Sequence, residues 1–222
     1  MVTLLAEDLT LLLLDDDSGR FTTHSSRHAA LGGALLADLA LGGWVEIDGP
    51  TGAFRREIVR PTGQPAPEHP VLADALTEVA AKDRTAKELV TRLGRAANEP
   101  LLQSLVDRGI LRRERDKVLG LFPSTTWPTE DVTHERERRA TLTTAIETGQ
   151  GSERDVALLS ILSAIDVAHR VLPVEGLGAR EVRSRVKGMA EGDFAAKAVK
   201  YAVDSIDAAL TAVIVTSTTS SG

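Results

Sequence analysis

The first fourteen positions hold an almost unbroken apolar run, Leu4–Leu14, in which Glu7 and Asp8 are the only charges, and the pattern predicts a buried helix. Asp15–Asp16–Asp17–Ser18–Gly19 stops it with turn-forming residues. A second helix is expected from a cap at Ser25 or Ser26 to Leu41, with Leu31, Leu35 and Leu39 on one face and Gly42–Gly43 after it. Gly32 and Gly33 lie inside it. A mid-helix glycine costs about 1 kcal/mol relative to alanine, so the pair predicts close packing against another backbone. Trp44–Asp48 and Ala53–Val59 flank Gly49–Pro50–Thr51–Gly52 as a β-hairpin. Pro61, Gly63, Pro65 and Pro67 predict a mobile loop before a helix that starts at Pro70 and runs to about Ala81.

The second half is expected to open with two helices. Thr85 caps Ala86–Ala96, and Asn98 caps another that has Pro100 early in it and Gly109 at its end. Two short strands, Ile110–Glu114 and Val118–Phe122, follow. Asp131–Thr148 is a densely charged helix. Ser152 caps an apolar helix over Val156–Val171, whose hydrophobic residues cover most of its circumference and mark it as central. Leu177–Met189 is amphipathic and basic, and Asp193 caps a last helix. The fold class is therefore mainly α: a single globular helical domain over residues 1–215, with a central apolar helix and peripheral β-hairpins. Residues 216–222 read as a disordered tail.

Composition narrows the function. The 222 residues are 42% hydrophobic and 26% charged, with 26 Lys+Arg against 32 Asp+Glu and a net charge of −6. An acidic balance disfavours sequence-blind nucleic-acid binding. The absence of cysteine excludes disulfides, thiol nucleophiles and Cys-ligated metals, and fits a reducing compartment. No secretory leader and no apolar stretch of membrane-spanning length is evident.

Catalytic patterns are missing: no phosphate-binding glycine loop, no nucleophile elbow and no His-Glu-x-x-His. Asp15–Asp17 lacks the alternating ligands of a calcium loop and reads as a solvated turn. His24 and His28 have metal-ligand spacing but no third ligand. Asp166 and His169, one turn apart, read as a satisfied core pair rather than an acid–base couple. No cofactor is called for, and no enzyme is expected. The helix–helix–hairpin order is that of a winged helix with Arg112, Arg113, Arg115 and Lys117 on its wing, but the recognition helix Leu101–Arg108 has few base-reading side chains, so nucleic acid is not expected. What remains is a set of cations near helix starts: Arg20, His24, Arg27 and His28, with Arg92 and Arg95 on another helix. Such positions suit an anion, and a solvated surface is the plainer reading.

Five blocks add to this. TLLAEDLTLLLLDDDSGRF, ALGGALLADLALGGWVEI, LLQSLVDRGILRRE, LGLFPSTTWP and ERDVALLSILSAIDVAHRVL, in this order over Thr3–Ala212, resemble the Golgi phosphoprotein 3 family of phosphatidylinositol-4-phosphate effectors, in a bacterial-type form. The resemblance implies a helical fold and a shallow basic headgroup pocket made of one tryptophan and three arginines. Those positions fall on Thr23, Gly32, Arg95 and Asn98, so one of the four residues is kept. Arg27 and His28 stand one turn before Gly32 and supply charge, and Trp127 is the candidate membrane-interface ring. The implied function is non-enzymatic, peripheral attachment to an anionic membrane lipid on the cytoplasmic, inner face of the membrane. Protein partners stay unknown. The alternatives are a cytosolic scaffold that forms a homo-oligomer through the Trp44–Val59 hairpin, and the winged-helix regulator.

Overall fold

The computed structural model describes residues 3–15, 18–23, 26–51, 56–118, 122–191 and 203–206. It is predominantly helical, as expected. In chain order the elements are α1 (Leu5–Leu13), α2 (Arg27–Leu41), β1 (Val45–Thr51), β2 (Arg56–Pro61), α3 (Pro70–Ala80), α4 (Ala86–Asp107), β3 (Glu114–Val118), β4 (Phe122–Thr126), α5 (Thr133–Thr148), α6 (Glu153–Ala164), α7 (Ala168–Val171) and α8 (Ala179–Glu191). Of the expected last helix only residues 203–206 are described, and they are helical; the tail 216–222 lies outside the described residues.

Every residue of α1 is buried, as are Ala29–Leu39 of α2 and Asp155–Leu162 of α6. The centre is thus shared by three helices rather than held by one. The expected helix over Val156–Val171 ends at Ala164, and Asp166 takes a left-handed φ of 57°. This break lets Ile165 and Val167, which two positions apart would point to different sides of a straight helix, both turn into the core, at 7% and 2% exposure.

A second correction concerns α4. Ala86–Asp107 is one continuous helix that runs through Pro100, so Asn98 caps nothing and the winged-helix order is absent. Leu89, Leu93, Ala97, Leu101 and Leu105 make an unbroken i, i+4 stripe, all buried. Packing of that stripe outweighs the roughly 3 kcal/mol that an interior proline costs. The following hairpin is shifted four residues along, to Glu114–Val118 and Phe122–Thr126, because Ile110 and Leu111 are drawn into the core instead.

Helices α2 and α4 pack backbone against backbone. A Cβ on Gly32 would lie 1.9 Å from the Val90 carbonyl oxygen, and one on Gly94 would lie 1.7 Å from that of His28. The expectation that glycines in α2 mark backbone-to-backbone packing is met at Gly32. The two contacts also fix the helices as antiparallel, with the start of α2 lying over the middle of α4.

The β1–β2 hairpin is antiparallel, pairing Val45 with Pro61 and Ile47 with Val59. The proline loop after it is strapped down rather than loose. Trp44 Nε1 donates to the Pro65 carbonyl at 2.9 Å, and Thr62 Oγ1 and Gln64 Nε2 both donate to that of Gly43.

Candidate functional site

Ser26 makes no side-chain cap on α2, and Ser25, the other expected cap, lies outside the described residues. Ser26, the residue before α2, turns its hydroxyl to Thr23 Oγ1 at 3.5 Å instead of to the first-turn N–H groups. Those N–H groups keep their capacity to meet an anion. Arg27 is the first helical residue. Its guanidinium lies 4.2 Å from the centroid of the Phe21 ring, and its Nε is buried with no hydrogen-bond partner. Burial lowers its pKa.

The glycine contact at Gly94 sets His28 against α4 and brings Arg95, the next residue, beside it. Burial pushes the His28 pKa down, and the neighbouring charges of Arg27 and Arg95 push it further. Three of the sequence-predicted residues therefore do converge. Asn98 follows one turn along α4 toward the start of α2, and its Oδ1 is buried without a partner. Thr23 is half-buried before the helix. His24 lies outside the described residues. Gly32 does not join the group. It is sealed in the α2–α4 seam, where no side chain fits, so the position that the resemblance gives to an arginine is closed and the nearby cations come from Arg27 and His28.

Most of the other arginines are neutralised; Arg115, Arg136, Arg170 and Arg180, all exposed, have no carboxylate partner among the described residues. Arg60, Arg84, Arg92, Arg108, Arg112, Arg113, Arg138, Arg154, Arg183 and Arg185 each pair with a carboxylate. Among the described residues no carboxylate pairs with Arg27, His28 or Arg95. Half-buried Arg27 and His28 with exposed Arg95, at a helix start that Ser26 does not cap, can hold an oxyanion by charge-assisted hydrogen bonds.

Trp127 is a correction. At 6% exposure it is packed with Leu11, Leu102, Leu105 and Leu111, below the Arg113 guanidinium at 4.9 Å. Its backbone is held by Gly19: the Trp127 N–H donates to the Gly19 carbonyl at 2.8 Å, and a Cβ on Gly19 would lie 2.6 Å from the Pro128 nitrogen. The ring is a core wedge and does not face a bilayer. Arg112 and Arg113 of the expected wing are spent on Glu114 and Glu99.

Sequence reasoning missed a second polar constellation. Glu7 and Asp8, the two charges in the apolar run, are 0% and 2% exposed and anchor a network under the α1 N-terminus. Asp38 of α2 reaches across to accept the Leu5 and Ala6 N–H groups at 2.9 and 3.0 Å, and Arg154 donates to it at 3.1 Å. Burial raises the Asp38 pKa to about 6, against the lowering effect of Arg154 and the two N–H groups. Asp8 meets His134 at 2.7 Å and Arg138 at 3.2 Å. Glu7 accepts from Ser104 at 2.6 Å and pairs with Arg108 at 2.8 Å and His69 at 3.2 Å. Burial alone would push the Glu7 carboxyl up, but these partners and the Leu4 N–H hold it below its ordinary value. The only sequence signal for this network was the presence of two acids where an apolar helix has no use for them.

Ser104, His69 and Glu7 are nucleophile, base and acid by type, but their arrangement is not a catalytic triad. Ser104 gives its proton to Glu7, and one imidazole nitrogen, Nε2, faces both, while Nδ1 has no partner. A triad needs the two imidazole nitrogens to serve the two ends separately. Asp166 and His169 are no core pair: Asp166 is exposed and pairs with Arg183. Asp15 accepts from the Ser18 N–H and hydroxyl as a turn; Asp16 and Asp17 lie outside the described residues. No group of three or more potential metal ligands occurs among the described residues.

Fold and site together define a mainly helical protein built around a buried ionic hub, with an unneutralised basic corner where α2 starts over α4. The chain belongs to the Golgi phosphoprotein 3 (GPP34) family, whose profile matches residues 5–206. Among curated proteins the sequence has no match.

Proposed function

We propose that this protein is a non-enzymatic peripheral membrane protein that holds an anionic, phosphate-bearing lipid headgroup at the start of α2. Arg27 and Arg95 supply the charge, His28 a ring nitrogen that takes up a proton as the anion binds, the first-turn N–H groups of α2 the directed donors, and Thr23 and Asn98 the polar flank. The observation that carries the reading is that the guanidiniums of Arg27 and Arg95, with His28 beside them, meet no carboxylate among the described residues, in a molecule that pairs most of its other arginines. Family membership agrees with it, and phosphatidylinositol-4-phosphate is one headgroup of this class. No helix among the described residues is long and apolar enough to cross a membrane, so attachment rests on surface contacts. The expected place of action is the cytoplasmic face of a membrane.

Co-sedimentation with vesicles tests this at low and moderate salt, comparing neutral phosphatidylcholine vesicles with ones carrying phosphatidylinositol-4-phosphate, cardiolipin or phosphatidylglycerol. Binding to anionic vesicles should weaken with salt. It should fall about tenfold in Arg95→Gln, the loss expected for one charge-assisted contact. Failure to bind any anionic vesicle overturns the reading in favour of a scaffold without lipid affinity.

A further inference from the structure

On its other side Arg95 faces a cavity of ≈ 560 Å³ between α3 and α4, floored by Leu35, Val71, Ala75, Leu93 and Ala97. Four charged residues line it, Asp74, Glu78, Arg92 and Arg95. Glu78 is already matched, by Arg92 at 2.5 Å and Arg84 at 3.3 Å. Asp74 has no hydrogen-bond or ion-pair partner among the described residues, and Arg95 has no carboxylate partner. The cavity therefore presents one available charge of each sign above an apolar floor. A third feature is on the backbone. Pro100 has no N–H, so the Ala96 carbonyl loses its i+4 donor, and both residues line the same cavity wall.

We infer that, among phosphate-bearing headgroups, the site favours one whose anionic phosphodiester carries a primary ammonium on a short chain, as in phosphoethanolamine. This rests on the basic corner being a phosphate site, as proposed above, and adds what the phosphate is attached to. The phosphate lies at Arg95, Arg27 and His28. The ammonium reaches Asp74, and the Ala96 carbonyl accepts one of its N–H bonds. A purely anionic headgroup would meet the Asp74 carboxylate, and a purely cationic one the Arg95 guanidinium; a zwitterion satisfies both. The ammonium must carry N–H groups, because the receivers are hydrogen-bond acceptors. No aromatic residue lines the cavity to cage a quaternary ammonium.

The full chain is tested on vesicles of constant phosphatidylglycerol content in which phosphatidylcholine is replaced by phosphatidylethanolamine. Binding should rise about three- to fivefold, the range of one exposed ion pair. Asp74→Asn should lose that gain and keep the phosphatidylglycerol-dependent binding, while Arg95→Gln should lose both. Equal binding to both vesicle types, or a gain that survives Asp74→Asn and so reflects bilayer packing, overturns the inference while leaving the anionic-lipid reading intact. Absence of binding to any anionic vesicle overturns that reading instead. Calorimetry with soluble glycerophosphoethanolamine and glycerophosphocholine separates a membrane source from a free one. Selective binding of the former without vesicle binding keeps the zwitterion site and assigns it to a soluble metabolite; binding of both alike overturns it.

Discussion

The carbonyl oxygen of His28 occupies the space where a side chain on Gly94 would begin, 1.7 Å from the ideal Cβ position. That contact locks α2 onto α4 and puts Arg95 next to His28. One backbone approach thus serves both the core and the basic corner.

Gly94→Ala should therefore destabilise the protein by about 3 kcal/mol in urea denaturation, the upper range for overpacking. Helix propensity alone gives the opposite sign, a gain of up to about 1 kcal/mol. Gly188→Ala, in α8 with nothing within 4 Å of its Cβ position, isolates that gain and should stabilise slightly. Similar signs for the two variants would show that the α2–α4 seam is looser than described.

Arg154 links Asp38, Asp8 and the Thr3 carbonyl. Arg154→Met should lose about 3–5 kcal/mol, because two buried carboxylates lose a counter-charge. Adding Asp38→Asn should restore part of that loss, since the second change removes one stranded charge. Strict additivity of the two denaturation shifts would contradict a coupled network.

The Asp38 carboxyl titrates near 6 in the folded protein, above its ordinary 3.8. Between those values the folded state holds more protons than the unfolded one, so this residue makes stability fall as pH rises from about 4 to 6. Glu7 and Asp155 are held below their ordinary values: burial opposes ionisation in both, and hydrogen bonds and arginines outweigh it. Their contribution is lost only on going below about pH 4.5. Denaturation midpoints of wild type and Asp38→Asn across pH 4–6.5 should converge as pH rises, and parallel curves would contradict the shift.

His28 is held below 6.5 by burial, Arg27 and Arg95. Below pH 6.5 the unfolded chain gains protons first, so His28 lowers stability as pH falls. An anion bound at the corner offsets the two guanidiniums and raises the His28 pKa, so binding takes up a proton. Affinity for phosphatidylglycerol vesicles should increase from pH 7.5 to 5.5 in wild type and be flatter in His28→Gln. An equally steep pH profile in the variant would remove His28 from the site.

Much of the molecule was legible in the order of its residues. Helix α1, helix α2 with its buried glycines, the capped start of α4 at Thr85 and the capped start of α6 at Ser152 follow from short-range periodicity and capping, as does the pairing of the first hairpin but not its turn, since Gly49–Thr51 extend β1 and residues 52–55 lie outside the described residues. The candidate cations were legible too, as residues beside helix starts.

Tertiary structure decided the rest, because it turned on energies that local signals do not carry. A proline stops an isolated helix, but the buried Leu89–Leu105 stripe carries α4 through Pro100. Tryptophan suits a membrane surface, yet Leu11, Leu102, Leu105 and Leu111, with Arg113 over the ring, take Trp127 into the core. Glu7, Asp8 and Asp38 look like stray charges until residues up to 146 positions away, such as Arg154, arrive to meet them. The sequence by itself determined which segments are helical and which residues are available for chemistry. Only the packed structure decided which charges neutralise one another and which are left for a ligand, since that depends on long-range pairing in a low-dielectric interior.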